Sequence, residues 1–91
     1  MIIISYDIAN TKLRTQFSRY ICRYGHRIQY SVYEIDHSEK VLDNIINDIK
    51  NKFEKKFQET DSIYIFRLSK TCKIDKFGYA KHEDYDIIIS V

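Results

Sequence analysis

The chain opens with an uninterrupted apolar run that leads to a carboxylate. Residues 1–4 are Met-Ile-Ile-Ile, and Asp7 follows after Ser5 and Tyr6. β-branched residues favour a pleated strand, and an apolar run without alternation indicates that both faces of the strand are covered. The pattern therefore predicts a buried first strand with Asp7 at its end. Since Asp is a favoured turn residue, a purely local role in the following turn is the alternative for Asp7.

A helical pattern follows the first strand. Asn10 or Thr11 is a suitable cap, and the pattern continues to about Tyr24. Gly25 then stands where a left-handed residue commonly ends a helix. The apolar residues recur at helical spacing and form an inward stripe, which consists of Leu13, Phe17, Tyr20, Ile21 and Tyr24.

The middle of the chain contains an alternating segment, a second helical segment and a further strand. Residues 27–35 predict one long strand, or two strands with a tight turn near Tyr30–Ser31. Asp36 or Ser38 is expected to cap the second helix. Residues 62–68 alternate again and predict another strand. The second helix has a wide apolar face that consists of Val41, Leu42, Ile45, Ile46, Ile49 and Phe53.

The C-terminal part contains a polar segment and a second isoleucine run. Residues 69–85 are polar and irregular, with one short helical turn as the alternative, and residues 86–91 read Asp-Ile-Ile-Ile-Ser-Val. An exposed strand edge of that composition would aggregate. The pattern therefore predicts a last strand, residues 86–91, that pairs with the sheet of a second subunit.

The order of elements is β-α-β-β-α-β with an extra C-terminal strand. This order is typical of the ferredoxin-like fold, an α+β arrangement in which two helices cover one face of an antiparallel sheet. The chain has 91 residues, no proline and two glycines, so nothing resembles a flexible linker. We expect residues 1–91 to form one ferredoxin-like domain.

Composition also limits the location and the cysteine chemistry. The opening apolar run is too short for a membrane span and lacks a preceding basic segment, so we expect a cytoplasmic protein without membrane contact. Cys22 and Cys72 lie far apart and form no CxxC pattern. They are expected to be reduced thiols rather than a disulfide or a zinc site.

Positive charge is concentrated in the N-terminal third of a chain whose net charge is only +2. At 100° per residue, Lys12, Gln16, Arg19 and Arg23 fall on one side of the first helix, away from the apolar stripe. A solvated charged surface is the usual meaning of such a pattern. However, the helix contains no acid, and surfaces that only contact solvent normally mix both signs. This asymmetry favours a polyanionic partner.

Three features of the N-terminal two thirds resemble one family. They are the apolar strand that ends in Tyr6-Asp7-Ile8, Arg14 in the first helix, and the block Tyr24-Gly-His-Arg-Ile-Gln-Tyr-Ser-Val-Tyr-Glu34. Together they resemble the small CRISPR-associated protein two family, which serves in spacer acquisition. The block is the most specific of the three features, and the resemblance spans about residues 1–68.

The resemblance implies a homodimer of ferredoxin-like subunits that acts in antiviral defence. Such a dimer bridges two dimers of the CRISPR integrase, CRISPR-associated protein one, and supports the middle of a duplex prespacer. The last strand of the family extends the sheet of the partner subunit, and the run at residues 87–89 matches that strand. The resemblance also implies that the C-terminal segment is a docking surface for the integrase, as in the family.

The same resemblance implies a second activity, that of a metal-dependent nuclease acting on RNA or double-stranded DNA. In the family the aspartate that ends the first strand, here Asp7, is assigned as the metal ligand. Mg²⁺ usually takes one or two carboxylates together with water and phosphate oxygens, so two Asp7 side chains paired across the dimer would be needed. The metal would activate water for attack on a phosphodiester.

The scaffold function requires only a basic surface that contacts phosphates without reading sequence. The expected contacts are Lys12, Arg19 and Arg23, which a dimer would double. Arg14 lies on another flank of the helix, where it either contacts nucleic acid or fixes the turn near Asp7. Arg27 begins the next strand and extends the positive surface.

The remaining polar and aromatic residues receive simpler interpretations. His26 is expected to be a surface residue. The cluster His82-Glu83-Asp84-Tyr85-Asp86 matches no metal-ligand spacing and is expected to be a solvated loop, or an acidic surface for the integrase. The expected core or dimer-interface aromatics are Tyr6, Tyr20, Tyr24 and Tyr33.

Two alternatives share the predicted fold. An RNA-recognition module has the same order of elements, and Tyr30 and Tyr33 lie in a strand segment. However, the glycine-aromatic pattern that such a module requires is absent. A toxin-like ribonuclease of the same fold is the other alternative.

Overall fold

The computed structural model of the chain describes residues 1–78. These residues form four strands and two α-helices, which follow one another in the predicted order. A π turn, Ile49–Phe53, and a 3₁₀ turn, Glu54–Lys56, prolong the second helix, and we call residues 49–56 the α2 extension. In chain order the strands and helices are β1 (Ile2–Asp7), α1 (Thr11–Ile21), β2 (Gly25–Gln29), β3 (Val32–Ile35), α2 (Glu39–Asp48) and β4 (Ser62–Arg67).

The strands form one antiparallel sheet in the order β2-β3-β1-β4. Strand β1 occupies a central position, and its Ile4 lies opposite Tyr33 of β3 and Ile65 of β4. This order confirms the predicted α+β, ferredoxin-like arrangement. Of the two predictions for residues 27–35, two strands with a turn at Tyr30–Ser31 is correct, and one long strand is wrong.

One face of the sheet carries both helices and the core. Alternation along β1 directs Ile2, Ile4 and Tyr6 to this face, where they are buried. They share one cluster with residues of β3, α1, α2 and the α2 extension. The partners from those elements are Tyr33, Ile35, Leu13, Phe17, Tyr20, Ile21, Leu42, Ile45 and Phe53.

The opposite face, which we call the helix-free face, carries the alternate residues of the strands. Ile3 of β1 lies there between Glu34 and Phe66 and is only 7% exposed. The whole opening isoleucine run is therefore buried, as its lack of alternation predicted. Phe66 and Tyr64 of β4 remain 45% and 60% exposed, and their rings stack with centroids 6.1 Å apart.

The end of α1 differs from the prediction. The helix ends at Ile21 and a turn follows, so Arg23 and Tyr24 are not helical. Gly25 is the first residue of β2 and does not have a left-handed conformation. A Cβ at Gly25 would lie 1.9 Å from the backbone oxygen of Glu34. Close strand pairing, rather than helix termination, therefore requires glycine here.

The start of α2 is at Ser38, which occupies the N-cap position but makes no side-chain capping hydrogen bond. Asp36, the other predicted cap, instead lies against His26. Farther along, the α2 extension brings Phe53 against Phe17, with ring centroids 5.1 Å apart. The apolar side of α2 therefore continues into the extension as predicted. The α-helix itself ends at Asp48, where π and then 3₁₀ winding begins.

Two sequence predictions concern the C-terminal part. Residues 69–78 contain no helix or strand, as expected for the polar segment. The predicted strand at residues 86–91 and the cluster at residues 82–86 lie outside the described residues. Among the helices of residues 1–78, none is long and apolar enough to span a membrane.

Candidate nucleic-acid interface

The basic surface predicted on α1 is present and accessible. Lys12, Arg19 and Arg23 are all exposed. Within residues 1–78 none of the three pairs with a carboxylate. Arg23 lies in the turn after the helix, where its guanidinium carbon is 5.7 Å from the ring centroid of Tyr20. That cation–π contact keeps Arg23 beside α1 although the helix has ended.

A groove runs between α1 and the α2 extension, and we call it the α1–α2 groove. The α1 side contributes Arg19, Arg23 and the amide of Gln16. The opposite side contributes two lysines that the sequence analysis did not single out, Lys52 and Lys56. The full lining consists of Gln16, Arg19, Tyr20, Arg23, Asn51, Lys52, Phe53 and Lys56.

The two lysines were missed because charges of both signs alternate along the sequence of α2 and its extension. Lys52 and Lys56 stand four residues apart, which is the spacing that places two helical residues on one side. Lys50 and Glu54 line a different depression between α2 and β4. The four-residue spacing of Lys52 and Lys56 was therefore visible in the sequence. Only the tertiary packing shows that the two lysines face α1.

Arg14 is engaged with the turn between β1 and α1. Its guanidinium donates to the backbone oxygen of Ile8 at 2.9 Å, to that of Ala9 at 3.2 Å, and to the hydroxyl of Thr11 at 3.1 Å. The structure thus places Arg14 in the local role that the sequence analysis kept as the alternative to nucleic-acid contact.

Arg27 is also held by intramolecular contacts. Its Nε and one terminal nitrogen donate to the Tyr33 hydroxyl at 3.2 and 3.1 Å, and that terminal nitrogen also reaches Ser18 Oγ at 3.3 Å. The hydrogen bond to Tyr33 is the main reason that the pKa of Arg27 is raised. The guanidinium carbon lies 5.6 Å from the ring centroids of both Tyr30 and Tyr33. Arg27 therefore links β2, β3 and α1.

Asp7 ends β1 and is exposed, as the sequence predicted. Strand alternation places it on the helix-free face, in line with Ile3 and Ser5. Within residues 1–78 no group of three or more His, Cys, Asp and Glu side chains could hold a metal ion. The nearby turn acid Asp61 instead accepts from the backbone nitrogens of Ala9 and Gln58. The described residues of one chain therefore do not form a magnesium site around Asp7.

His26 is exposed, in agreement with the prediction of a surface residue. Its two ring nitrogens face different carboxylates, with Nε2 3.6 Å from Glu34 and Nδ1 3.2 Å from Asp36. Because the carboxylates lie against opposite ring nitrogens, the three side chains do not converge on one point. These contacts connect β2 to the end of β3 and do not form a ligand-binding site.

Comparison with protein families identifies the chain. The model of the family described as CRISPR associated protein Cas2 matches residues 1–75. The chain belongs to the Cas2 family. Relatives with similar sequences and solved structures with a similar fold agree with this assignment.

The relatives carry names that include an activity. A protein of Methanospirillum hungatei named CRISPR-associated endoribonuclease Cas2 2 is 29% identical over 90 residues, which cover 97% of each chain. A protein of Rhodospirillum rubrum named CRISPR-associated endoribonuclease Cas2 4 is 30% identical over 70 residues. That match covers 77% of this chain and 54% of the relative.

The crystal structure of Streptococcus pyogenes Cas2 at pH 6.5 is similar in fold. It superimposes with a TM-score of 0.69, at 24% sequence identity, over 85% of this chain and 98% of that chain. The fold of this chain is therefore the one found in a solved Cas2 protein. The family resemblance seen in the sequence motifs is confirmed.

Proposed function

We propose that this Cas2-family chain is a cytoplasmic, homodimeric adaptor of CRISPR adaptation. It binds the duplex prespacer and bridges two dimers of the CRISPR integrase during spacer acquisition. The observation that carries this proposal is the exposed, acid-free basic surface of α1 and its following turn, formed by Lys12, Arg19 and Arg23. Arg14 and Arg27 are engaged with the fold itself and stabilise the elements around this surface, Arg14 at the start of α1 and Arg27 between β2, β3 and α1.

The surface suits backbone contact without sequence readout. Lys and Arg that neutralise phosphates release counterions, which supplies affinity that is independent of sequence and falls steeply with salt. An adaptor that accepts prespacers of any sequence needs this property. A site that reads base edges would need side chains matched to particular bases instead.

The helix-free face supports the homodimer. Ile3, Tyr64 and Phe66 form an apolar area on that face, and both rings remain exposed in a single chain. Large exposed apolar areas on soluble proteins mark interaction sites. A second copy that packs on this area would bury it and double the α1 surface, and the predicted strand at residues 86–91 would extend the partner's sheet.

Duplex binding tests the adaptor proposal. Arg19→Ala and Arg23→Ala are expected to weaken binding to duplexes of unrelated sequence equally, and each reduces the slope of log affinity against log salt by about one unit. Lys40→Ala removes one exposed charge from α2 and serves as the control. Unchanged affinity and slope in both Arg variants would contradict duplex binding by this surface.

An integration assay with the partner integrase tests the bridging function. Spacer integration is expected to require this protein, and Arg19→Ala/Arg23→Ala is expected to reduce integration while the complex with the integrase still forms. Size-exclusion chromatography of the mixture measures complex formation. Integration that proceeds equally well without this protein would contradict the adaptor proposal.

A metal-dependent nuclease is the second candidate, favoured by the endoribonuclease names of both relatives and by the exposed Asp7 at the end of β1. A dimer formed through the helix-free face would bring Asp7 of both subunits to one interface. Asp7→Asn is expected to abolish Mg²⁺-dependent cleavage of RNA or duplex DNA and to leave integration intact. Asp43→Asn, an exposed acid on α2, is the control, and equal cleavage by both variants would remove Asp7 from the reaction.

A further inference from the structure

We propose that the α1–α2 groove holds the phosphodiester backbone of one strand of the bound duplex, with Lys52 and Lys56 as contacts opposite Arg19 and Arg23. The inference rests on the proposed function, because it extends the α1 surface across the groove. It adds a second basic wall, contributed by the α2 extension.

The groove has the size and shape for a chain of phosphates. Its volume is about 600 Å³ and it is open along one side, between α1 and the α2 extension. Enclosed pockets for small ligands have comparable volumes but cover most of the ligand surface. An open groove of this volume instead leaves room for a polymer backbone that extends beyond it.

The charges in the groove converge from both walls. Arg19 and Arg23 lie on one wall and Lys52 and Lys56 on the other, and among the described residues no acid lines the groove. The amides of Gln16 and Asn51 add further hydrogen-bond donors. Arg, Lys and amide side chains are the groups that contact phosphate oxygens in complexes with nucleic acids.

The nearest acid, Asp48, is already engaged beneath the groove. The Tyr20 hydroxyl donates to Asp48 Oδ2 at 2.6 Å, and Lys52 Nζ lies 3.6 Å from Asp48 Oδ1. Asp48 therefore pairs with Lys52 and also links α1 to α2. The Lys52 side chain is 67% exposed, so its ammonium group remains accessible to a phosphate beside this ion pair.

The floor of the groove is aromatic and fixes the separation of the two walls. Phe53 is buried, with its ring centroid 5.3 Å from that of Tyr20 and 5.1 Å from that of Phe17. Phe53 lies at the end of the π turn, a form of winding that is often found at functional sites. Because the walls are held by this packing, little backbone order has to be gained on binding.

The α2 extension sorts its charges between its two sides. Lys52 and Lys56 enter the groove, whereas Lys50 and Glu54 line the depression toward β4. Within residues 1–78 the extension therefore presents a side without acids to α1 and a side of mixed charge to the depression toward β4. A segment that served only solubility would have no reason to separate its charges in this way.

The experiment compares two double variants of the folded, full-length protein. Lys52→Ala/Lys56→Ala removes two charges from the groove, and Lys50→Ala/Lys55→Ala removes two exposed charges of the same extension that do not line it. Affinity for a fluorescent duplex is measured over a salt series. The groove variant is expected to reduce the slope by about two units, and Lys52→Arg/Lys56→Arg is expected to restore it. The control variant is expected to keep the wild-type slope.

The results separate this inference from the proposed function. If Arg19→Ala and Arg23→Ala weaken duplex binding but the groove variant matches its control, the groove is not a strand site and the adaptor proposal stands. If the groove variant loses affinity for the integrase while its duplex affinity is unchanged, the lysines serve a protein partner and the inference is wrong. If all variants bind the duplex like the wild type, both proposals are wrong.

Discussion

Gly25 shows how a single residue can be required by pairing rather than by conformation. It lies opposite Ile35 at the start of β2, and a Cβ there would meet the Glu34 backbone oxygen at 1.9 Å. A backbone oxygen within a ladder cannot turn away as a flexible side chain can. The position is therefore restricted to glycine although its backbone angles suit other residues.

Gly25→Ala is expected to lower the free energy of unfolding by about 3 kcal/mol or more, because overpacking against backbone forces the two strands apart. Urea denaturation of the wild type and the variant measures this loss. Gly78→Ala is the comparison, since an added Cβ there contacts nothing within 4 Å among residues 1–78 and only the positive φ of 81° disfavours it. Its expected cost is about 1 kcal/mol. Equal losses would contradict the packing explanation.

Arg14 tests whether a basic residue on α1 supports the fold or contacts nucleic acid. Arg14→Ala removes the donors to the Ile8 and Ala9 backbone oxygens. We expect it to lower the free energy of unfolding by about 1–2 kcal/mol and to leave the salt slope of duplex binding unchanged. Lys12→Ala, which removes an exposed charge from the same helix, should show the opposite pattern. A lower salt slope in the Arg14 variant would place Arg14 among the phosphate contacts.

At the scale of elements, α1 and α2 are joined by a polar contact at the edge of an aromatic cluster. The Tyr20 hydroxyl donates to Asp48 at 2.6 Å. Burial raises the pKa of Tyr20, and the hydrogen bond to Asp48 and the charge of Asp48 raise it further. The neutral phenol is thus the form that the folded protein stabilises.

This contact predicts a particular loss of stability at high pH. Because the pKa of Tyr20 is raised above its ordinary value of 10.0, its contribution is complete below pH 10 and is lost as the pH rises further. Tyr20→Phe is expected to cost about 1–2 kcal/mol near neutral pH and to flatten the decline above pH 10. Tyr64→Phe changes an exposed phenol and is the control. Denaturant unfolding at several pH values measures both effects, and parallel curves for wild type and Tyr20→Phe would contradict this role.

Element types followed from local patterns, but their boundaries did not. The polar residues near Tyr30 and Ser31 indicated a turn, which is present between β2 and β3. The end of α1 was misplaced because Tyr24 continues the helical spacing of apolar residues. In the structure Tyr24 packs beside the core from a turn, with its ring 5.3 Å from that of Tyr20. Packing of the turn, which the sequence does not display, decided where the helix stops.

At the scale of the whole molecule, the sheet separates two surfaces to which the proposals assign different partners. The helical side presents the α1–α2 groove, and the helix-free face presents Tyr64, Phe66 and Asp7. Tyr33 is only 2% exposed and points into the core, so it cannot act as a stacking residue of an RNA-recognition module. The exposed aromatic pair of the sheet is instead Tyr64 and Phe66 on β4.

Tyr64→Ser/Phe66→Ser is expected to shift the dimer toward monomer by at least about tenfold in dissociation constant, because it removes apolar area from the proposed interface. Sedimentation equilibrium measures this shift. Tyr30→Ser, which removes an exposed ring from the turn between β2 and β3, is the control. Loss of affinity for single-stranded RNA with an unchanged dimer would instead support a stacking function for the pair.

The sequence by itself determined the order of elements, the family and the basic character of α1. These properties depend on periodicity, motif and charge, which are local. The tertiary structure decided which charges line one groove, since Lys52 and Lys56 lie opposite Arg19. The packing of Phe53 on Tyr20 holds the two sides of that groove together. The tertiary structure also decided that Arg14 is engaged with the turn after β1. The groove contains residues that are distant in the chain, and the Arg14 contacts depend on the shape of one turn. Both form only when the chain folds.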